Sequence, residues 1–200
     1  MSQFDHRARS WDSDPSHWER SGAIAKHLIE TIPLSPTMKA LEYGAGTGIL
    51  SFLLSDRFSE VTLMDNSDEM VQVMREKAAN ARLTHFTPLF FDLEHDDYST
   101  RKFDCIFSQM VLHHVSDTYK ILVKFYDMLN PGGYLAIADL YTEDGSFHGP
   151  GAQVHLGFDP VVLSEKLAQI GFKNITHQTC YEIQRLSGKK FPVFLLAAQK

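Results

Sequence analysis

Cysteine is nearly absent. Only Cys105 and Cys180 occur, far apart and each inside an apolar run. That excludes a disulfide framework and reads as two buried free thiols. No apolar run approaches the ~20 residues needed to cross a bilayer, and Met1 to Arg7 contains no apolar signal segment. A cytoplasmic location with no membrane partner is therefore expected. Excess positive charge is missing too: the formal net charge is −6, which argues against a nucleic acid partner, since that would favour a basic face. The histidines are scattered and Asp139 has no Asn or Asp beside it, so no metal site is expected. What remains is ordinary for a globular chain, 44% hydrophobic and 22% charged over 200 residues, a length that suits one domain with a full core.

The stretch from Lys39 to Leu50 organises the chain. An apolar run reaches Glu42, glycine then stands at positions 44, 46 and 48, and Ser51 to Leu54 continue at helical spacing. This predicts a strand, a tight turn and a helix start, the opening of a nucleotide-binding α/β unit. Gly44 and Gly46 allow a sharp turn and close approach of a ligand, and the helix start offers unpaired N–H groups. A dinucleotide fold wants G-x-G-x-x-G, but Ile49 stands where the third glycine belongs. Glu42 would repel a phosphate. It suits an ammonium group instead, held directly or through water.

Further along, Ser16 with Glu19 predicts a capped helix, with Trp18, Ile24, Ala25, Leu28 and Ile29 on its apolar face. Phe4, Trp11 and Trp18 make the first segment aromatic; both tryptophans read as packing residues or as part of a lid over a ligand. After a helix over 49–58, the strand Val61 to Met64 ends in Asp65, placed where an acid meets ribose hydroxyls in nucleotide folds, or where it merely caps a helix. Asn66 and Met70 follow, with Ser67 as a cap. A third strand over 84–91 ends in Asp92 and Leu93, and any helix between Asp96 and Lys102 must be brief. The fourth strand, Phe103 to Phe107, leads to Gln109, His113 and His114, with Asp117 capping the next helix. Leu129-Asn130-Pro131-Gly132-Gly133 is a helix stop and turn before a fifth strand ending at Asp139. Residues 141–158 form a long loop holding Tyr141, Phe147, His148, His155 and Phe158, of a length that is usually functional. Asp159 and Pro160 open a helix that Gly171 ends, and two strands over 172–180 and 192–198 close the chain.

Glu42-x-Gly44-x-Gly46-x-Gly48, Asp65-x-Ser67-x-x-Met70, the segment after the fourth strand and Leu129-x-Pro131-Gly132-Gly133 together resemble class I S-adenosylmethionine (SAM) dependent methyltransferases of the small-molecule branch. The resemblance covers about residues 38–198. It implies an α/β, doubly wound Rossmann-like seven-stranded sheet with the last strand antiparallel, residues 1–37 forming a helical cap or lid and residues 38–200 the SAM-binding domain. It implies SAM as cofactor, met by Glu42, Gly44, Gly46, Asp65, Asn66, Met70, Asp92, Leu93 and Gln109. Asp92 would accept from the adenine amine, or else be one charge in a solvated loop. The implied function is in-line methyl transfer to a small-molecule acceptor by a monomer or homodimer. The Asn/Asp-Pro-Pro-Tyr/Phe sequence of enzymes that methylate nucleobase or glutamine nitrogens is missing, which sets those substrates aside. His114, His155 and His113 are the candidate bases, with at most one of the adjacent pair facing the acceptor and packing or solvation as the alternative for both. Tyr141 and Trp11 are expected to wall the acceptor. Two rivals remain, a SAM-binding module without catalysis and an NAD(P)-dependent oxidoreductase. The acceptor and the atom methylated are not written in the sequence.

Overall fold

The computed structural model describes residues 5–149 and 151–200; Phe4 lies outside the described residues. The first ordered stretch is a 3₁₀ segment over Asp5–Ser13, a polar run whose regular form the sequence does not signal. Helix α1 follows over Pro15–Thr31. Its cap is Asp14, whose carboxylate accepts the Ser16 N–H at 2.9 Å, rather than Ser16 itself: Pro15, with its fixed φ and missing donor, is suited to the first helical position, and this moves the cap back by two residues.

Seven strands alternate with the remaining helices: β1 (Lys39–Tyr43), α2 (Ile49–Leu53), β2 (Glu60–Asp65), α3 (Asp68–Asn80), β3 (Phe86–Phe90), β4 (Phe103–Gln109), α4 (Thr118–Met128), β5 (Leu129–Leu140), α5 (Pro160–Ile170), β6 (Lys173–Gln184) and β7 (Lys190–Gln199). They form one sheet in the order β3-β2-β1-β4-β5-β7-β6. The first five strands run parallel, and β7 lies antiparallel between β5 and β6. The predicted seven-stranded doubly wound sheet with its antiparallel last strand is the one observed. The caps expected at Ser67, Asp117 and Asp159 each accept a backbone N–H of the following helix. The helix expected over 49–58 stops at Leu53 and continues as a short 3₁₀ turn, Ser55–Arg57. The turn expected at Asn130 to Gly133 is absorbed into β5, where pairing jumps from Phe103 opposite Leu129 to Cys105 opposite Tyr134. Gly132, at φ +79°, takes up the irregularity.

Both sheet faces are covered, so the central strands read as near-continuous apolar runs. Ala40, Leu63 and Phe107 face a core closed by Ile24 and Leu28 of α1, Leu50 of α2 and Met74 of α3. Leu41, Ile106 and Leu135 face the other, closed by Phe125 of α4 and Leu167 of α5. Because no helix forms between β3 and β4, Phe91 and Tyr98 cover that part of the second face. Phe107 is fully buried and its ring stacks at 5.8 Å on Phe58. Phe107→Ala is expected to lower unfolding free energy by about 3–5 kcal/mol through lost burial and a residual cavity, measured by urea denaturation; a loss below 1 kcal/mol would show that the sheet does not depend on this contact.

Candidate active site

The strand order reverses between β1 and β4, and open α/β sheets take ligands at that point, beyond the strands' carboxyl ends. A cavity of about 820 Å³ lies there. Gly44 to Gly46, Asp65 and Asn66, Phe90 to Glu94, and Gln109 to Val115 (without Leu112) line it from the sheet. The N-terminal segment crosses it with His6, Arg7, Trp11, His17 and Arg20.

Two carboxylates, Asp65 half-buried and Glu42 buried, hold the glycine loop and the helix that follows it. Gly44 and Gly46 have φ of +66° and +57°. A Cβ on Gly44 would strike Val111 at 2.5 Å, whereas one on Gly46 would meet nothing within 4 Å, because Gly46 faces the cavity. Asp65 accepts the Gly46 N–H at 2.7 Å and the Ser67 N–H at 2.9 Å. Burial pushes its carboxyl up, opposed by these backbone donors. Glu42 is fully buried. Its Oε2 accepts the Ser51 hydroxyl at 2.5 Å and the Ser51 N–H at 3.2 Å. Asp92 lines the cavity and is held by the Glu94 N–H and the His95 ring.

The β4–β5 side is built from imidazoles. His113 is buried; its Nδ1 donates to Asp139 Oδ1 at 2.6 Å, and its backbone N–H reaches Asp139 Oδ2 at 3.2 Å. Asp139, fully buried at the end of β5, also accepts the Leu140 N–H at 2.7 Å. The His114 ring lies 4.2 Å from His113 and 5.1 Å from His148. Burial, with the two neighbouring imidazoles, pushes His114 down to about 4, and burial lowers His148 as well. Met110, at the end of this strand, holds φ +56° without being glycine, a strained conformation of the kind that gathers at functional sites; its N–H donates to Ala138 O at 2.7 Å.

The structure brings Gly44, Gly46, Asp65, Asn66, Met70, Asp92, Leu93, Gln109, His113 and His114 to one cavity. Four expectations are corrected. Glu42 is not on the cavity wall but behind the loop, held by Ser51. His155 is exposed and off the cavity, its Nε2 donating to Val115 O at 3.0 Å, because its stretch of the loop packs outside the His113 turn. His113 and His114 both face the cavity, since the 3₁₀ turn Leu112–His114 sets adjacent side chains closer in direction than a strand would. Tyr141 points to Thr179 rather than to the cavity, while Trp11 does line it. Sequence reasoning missed Arg20, Arg185 and the partnership of Asp139 with His113, whereas His148, singled out in the 141–158 loop, does line the cavity. Chain folding brings these together without local spacing. Three histidines lie in reach of one another, 113, 114 and 148, where none was expected to cluster.

Fold and site define a class I SAM-dependent methyltransferase architecture. A SAM-dependent methyltransferase from Aquifex aeolicus superposes with a TM-score of 0.72 at 24% identity, over 98% of this chain and 97% of that one. Haemonchus contortus phosphoethanolamine N-methyltransferase 2, in complex with phosphomonomethylethanolamine and S-adenosylhomocysteine, does so with a TM-score of 0.75 at 19% identity, over 92% of this chain and 52% of that one. At such identities the likeness is one of fold. A methyltransferase-domain family matches residues 34–155, and the chain belongs to that family. It is similar to an uncharacterized methyltransferase of Schizosaccharomyces pombe, 29% identical over 62% of this chain and 49% of that protein. It is also similar to malonyl-[acyl-carrier protein] O-methyltransferase of Marinomonas, 25% identical over 69% of this chain and 50% of that protein. The chain spans about half the length of these relatives.

Glu42 yields a stability test. Burial pushes its carboxyl up from 4.5 to about 7, against the Ser51 donors, which lower it. The folded state therefore holds the proton more tightly than the unfolded chain. The stabilisation this gives is complete below about pH 4.5 and lost as pH rises through about 7. Glu42→Gln, which cannot titrate, is expected to lose less stability than wild type between pH 5 and pH 8 in urea denaturation. Parallel curves would mean that Glu42 is ionised throughout.

Proposed function

We propose that the chain transfers a methyl group from SAM to a small-molecule acceptor that carries an anionic group. The observation that carries this reading is one continuous cavity lined by two chemically different sets of groups. On the β1–β3 side stand an open Gly46 backbone and the carboxylates of Asp65 and Asp92; on the β4–β5 side and under the N-terminal segment stand imidazoles and arginines. When bound, SAM supplies a methyl carbon already activated by its sulfonium. Gly46, with nothing standing at its Cβ position, leaves room for that ligand's chain. Asp65 has lone pairs beyond those taken by Gly46 and Ser67, and these suit the vicinal ribose hydroxyls. Asp92 suits the adenine amine. Glu42 Oε1, buried with no partner among the described residues, leaves an acceptor for an ammonium group reached through water.

The acceptor preference follows from Arg20 and Arg185, which both line the cavity. Arg20 forms no ion pair among the described residues, its Nε has no partner there, and burial lowers its pKa. Arg185 donates to Phe147 O at 3.1 Å and lies over that ring. A half-buried cation lacking a carboxylate is stabilised by an anion. His113 and His114 meet the acceptor beside them. Holding the acceptor in line with the methyl group is the main catalytic contribution, worth ~7–11 kcal/mol where orientation is good. The N-terminal segment acts as the lid: Asp12 accepts from Lys77 at 2.6 Å and from Thr47, and Asp5 accepts from Ser67 at 2.6 Å, so its acids reach both the glycine loop and the start of α3.

The test is SAM turnover with paired acceptors, carboxylates and phosphate esters against their neutral amides or alcohols, read as S-adenosylhomocysteine by mass spectrometry. Product is expected from the anionic members, and Arg20→Gln is expected to raise KM at least ~10-fold, the scale of one charged hydrogen bond, with SAM affinity unchanged. Gly46→Arg should abolish SAM binding in calorimetry. Binding without product across the panel would make this a SAM-binding module without catalysis, and wild-type affinity in the Gly46→Arg variant would remove the cofactor assignment.

A further inference from the structure

We propose that His113, His114 and His148 bind one divalent transition-metal ion of the zinc type on the acceptor side of the cavity. Each offers a ring nitrogen, and these nitrogens lie within 4.8 Å of one another. The His113 ring centroid is 4.2 Å from that of His114 and 5.0 Å from that of His148. Two neighbours from one short turn and a third from the 141–158 loop thus converge on one point.

Asp139 makes this more than a meeting of three rings. Its fully buried carboxylate takes the Nδ1–H of His113 at 2.6 Å and is itself fixed by the backbone N–H groups of His113 and Leu140. With the proton assigned to Nδ1, the lone pair of His113 stands on Nε2. A carboxylate behind an imidazole is the arrangement that sets tautomer and orientation in metal-ligating histidines. Three imidazoles with no fourth protein ligand among the described residues make an open site of the kind used catalytically, not a closed structural one. The all-nitrogen donor set suits zinc, cobalt, nickel or ferrous iron and not magnesium or calcium, which take oxygen.

At metal–nitrogen distances of about 2.1 Å the ligand atoms must stand roughly 3.4 Å apart, so the cluster has to tighten. His148 can supply that movement, being exposed on its loop while His113 is fixed. Asp139 provides negative charge behind the site, and Arg185 lies on the His148 side. A dication there is better held when an anion fills the open position. If the methyl-transfer reading holds, that anion is the acceptor, whose heteroatom would bind the metal; the metal site itself rests on the histidines and Asp139 alone.

The experiment uses the untagged full chain, freed of metal by a chelator, without SAM or acceptor. It is titrated with Co²⁺, followed by visible absorption, and with Zn²⁺ in competition with a chromophoric chelator. One equivalent is expected to bind, with the Co²⁺ spectrum of a nitrogen-ligated site of low coordination number. His148→Ala, at an exposed position, should lose at least ~10-fold in affinity, and Asp139→Asn ~10–100-fold, the usual effect of removing such a carboxylate. His155→Ala, off the cavity, should bind as wild type. Absence of stoichiometric binding, or a His148→Ala variant that binds as wild type, would overturn the site. Because no methyl transfer is read, failure here leaves the methyltransferase reading standing, and failure of turnover leaves the metal site standing.

Discussion

The glycine loop and the helix it leads into are held by two carboxylates beneath the cavity, Asp65 on the loop and Glu42 on the helix. Within five positions Gly44, Gly46 and Gly48 all take left-handed φ, a conformation that L side chains avoid and that a free chain would not hold. Asp65, from the neighbouring strand, fixes the Gly46 N–H. Glu42, from the strand the loop leaves, fixes Ser51 at the start of α2. The same Asp65 accepts the Ser67 N–H, so one carboxylate sets both the loop and the approach to α3. The desolvation of both acids is offset only in part by these hydrogen bonds. The floor of the cavity thus depends on electrostatics placed inside the core.

The two sides of the cavity are made differently. Backbone groups and strand-end acids form the β1–β3 side, whereas the other is made of side chains on the His113 turn, the 141–158 loop and α1. Backbone geometry survives extensive substitution, but side chains on loops do not need to. That division is consistent with a fold shared at 14–24% identity by solved relatives and with the general rule that function lives in sites grafted on folds.

Much of this was legible in the sequence because it is written in local patterns. Apolar runs gave the strands, and Ser67, Asp117 and Asp159 gave the helix starts, since a capping residue acts within three positions of itself. The glycine spacing located the cavity floor for the same reason. Residues whose role depends on what folds against them were not legible. Arg20 sits on what reads as the polar face of an exposed helix, and only the packing of α1 over the cavity half-buries it. His148 was legible as a member of the loop over the acceptor, but its meeting with His113 depends on how that loop returns. Asp139 looked isolated because its partner is on the 3₁₀ turn that follows the neighbouring strand. Glu42 was read by its charge alone, which does not show that its place inside the sheet also makes it a brace, with Oε2 on Ser51.

The placement of β7 bears on how the molecule assembles. Strand β6 precedes β7 in the chain, but in the sheet it touches only β7, which separates it from β5. A chain emerging from the ribosome can pair β1 through β5 in parallel as they appear, while β6 must wait as an unpaired edge. Such edges are prone to join other chains. Their residues here include Lys173, Glu182 and several polar side chains facing outward, which makes the waiting strand a poor template for aggregation. The parallel part of the sheet lies on the amino-terminal side of this late step, so the glycine loop and the His113 turn can be in register before the sheet is finished.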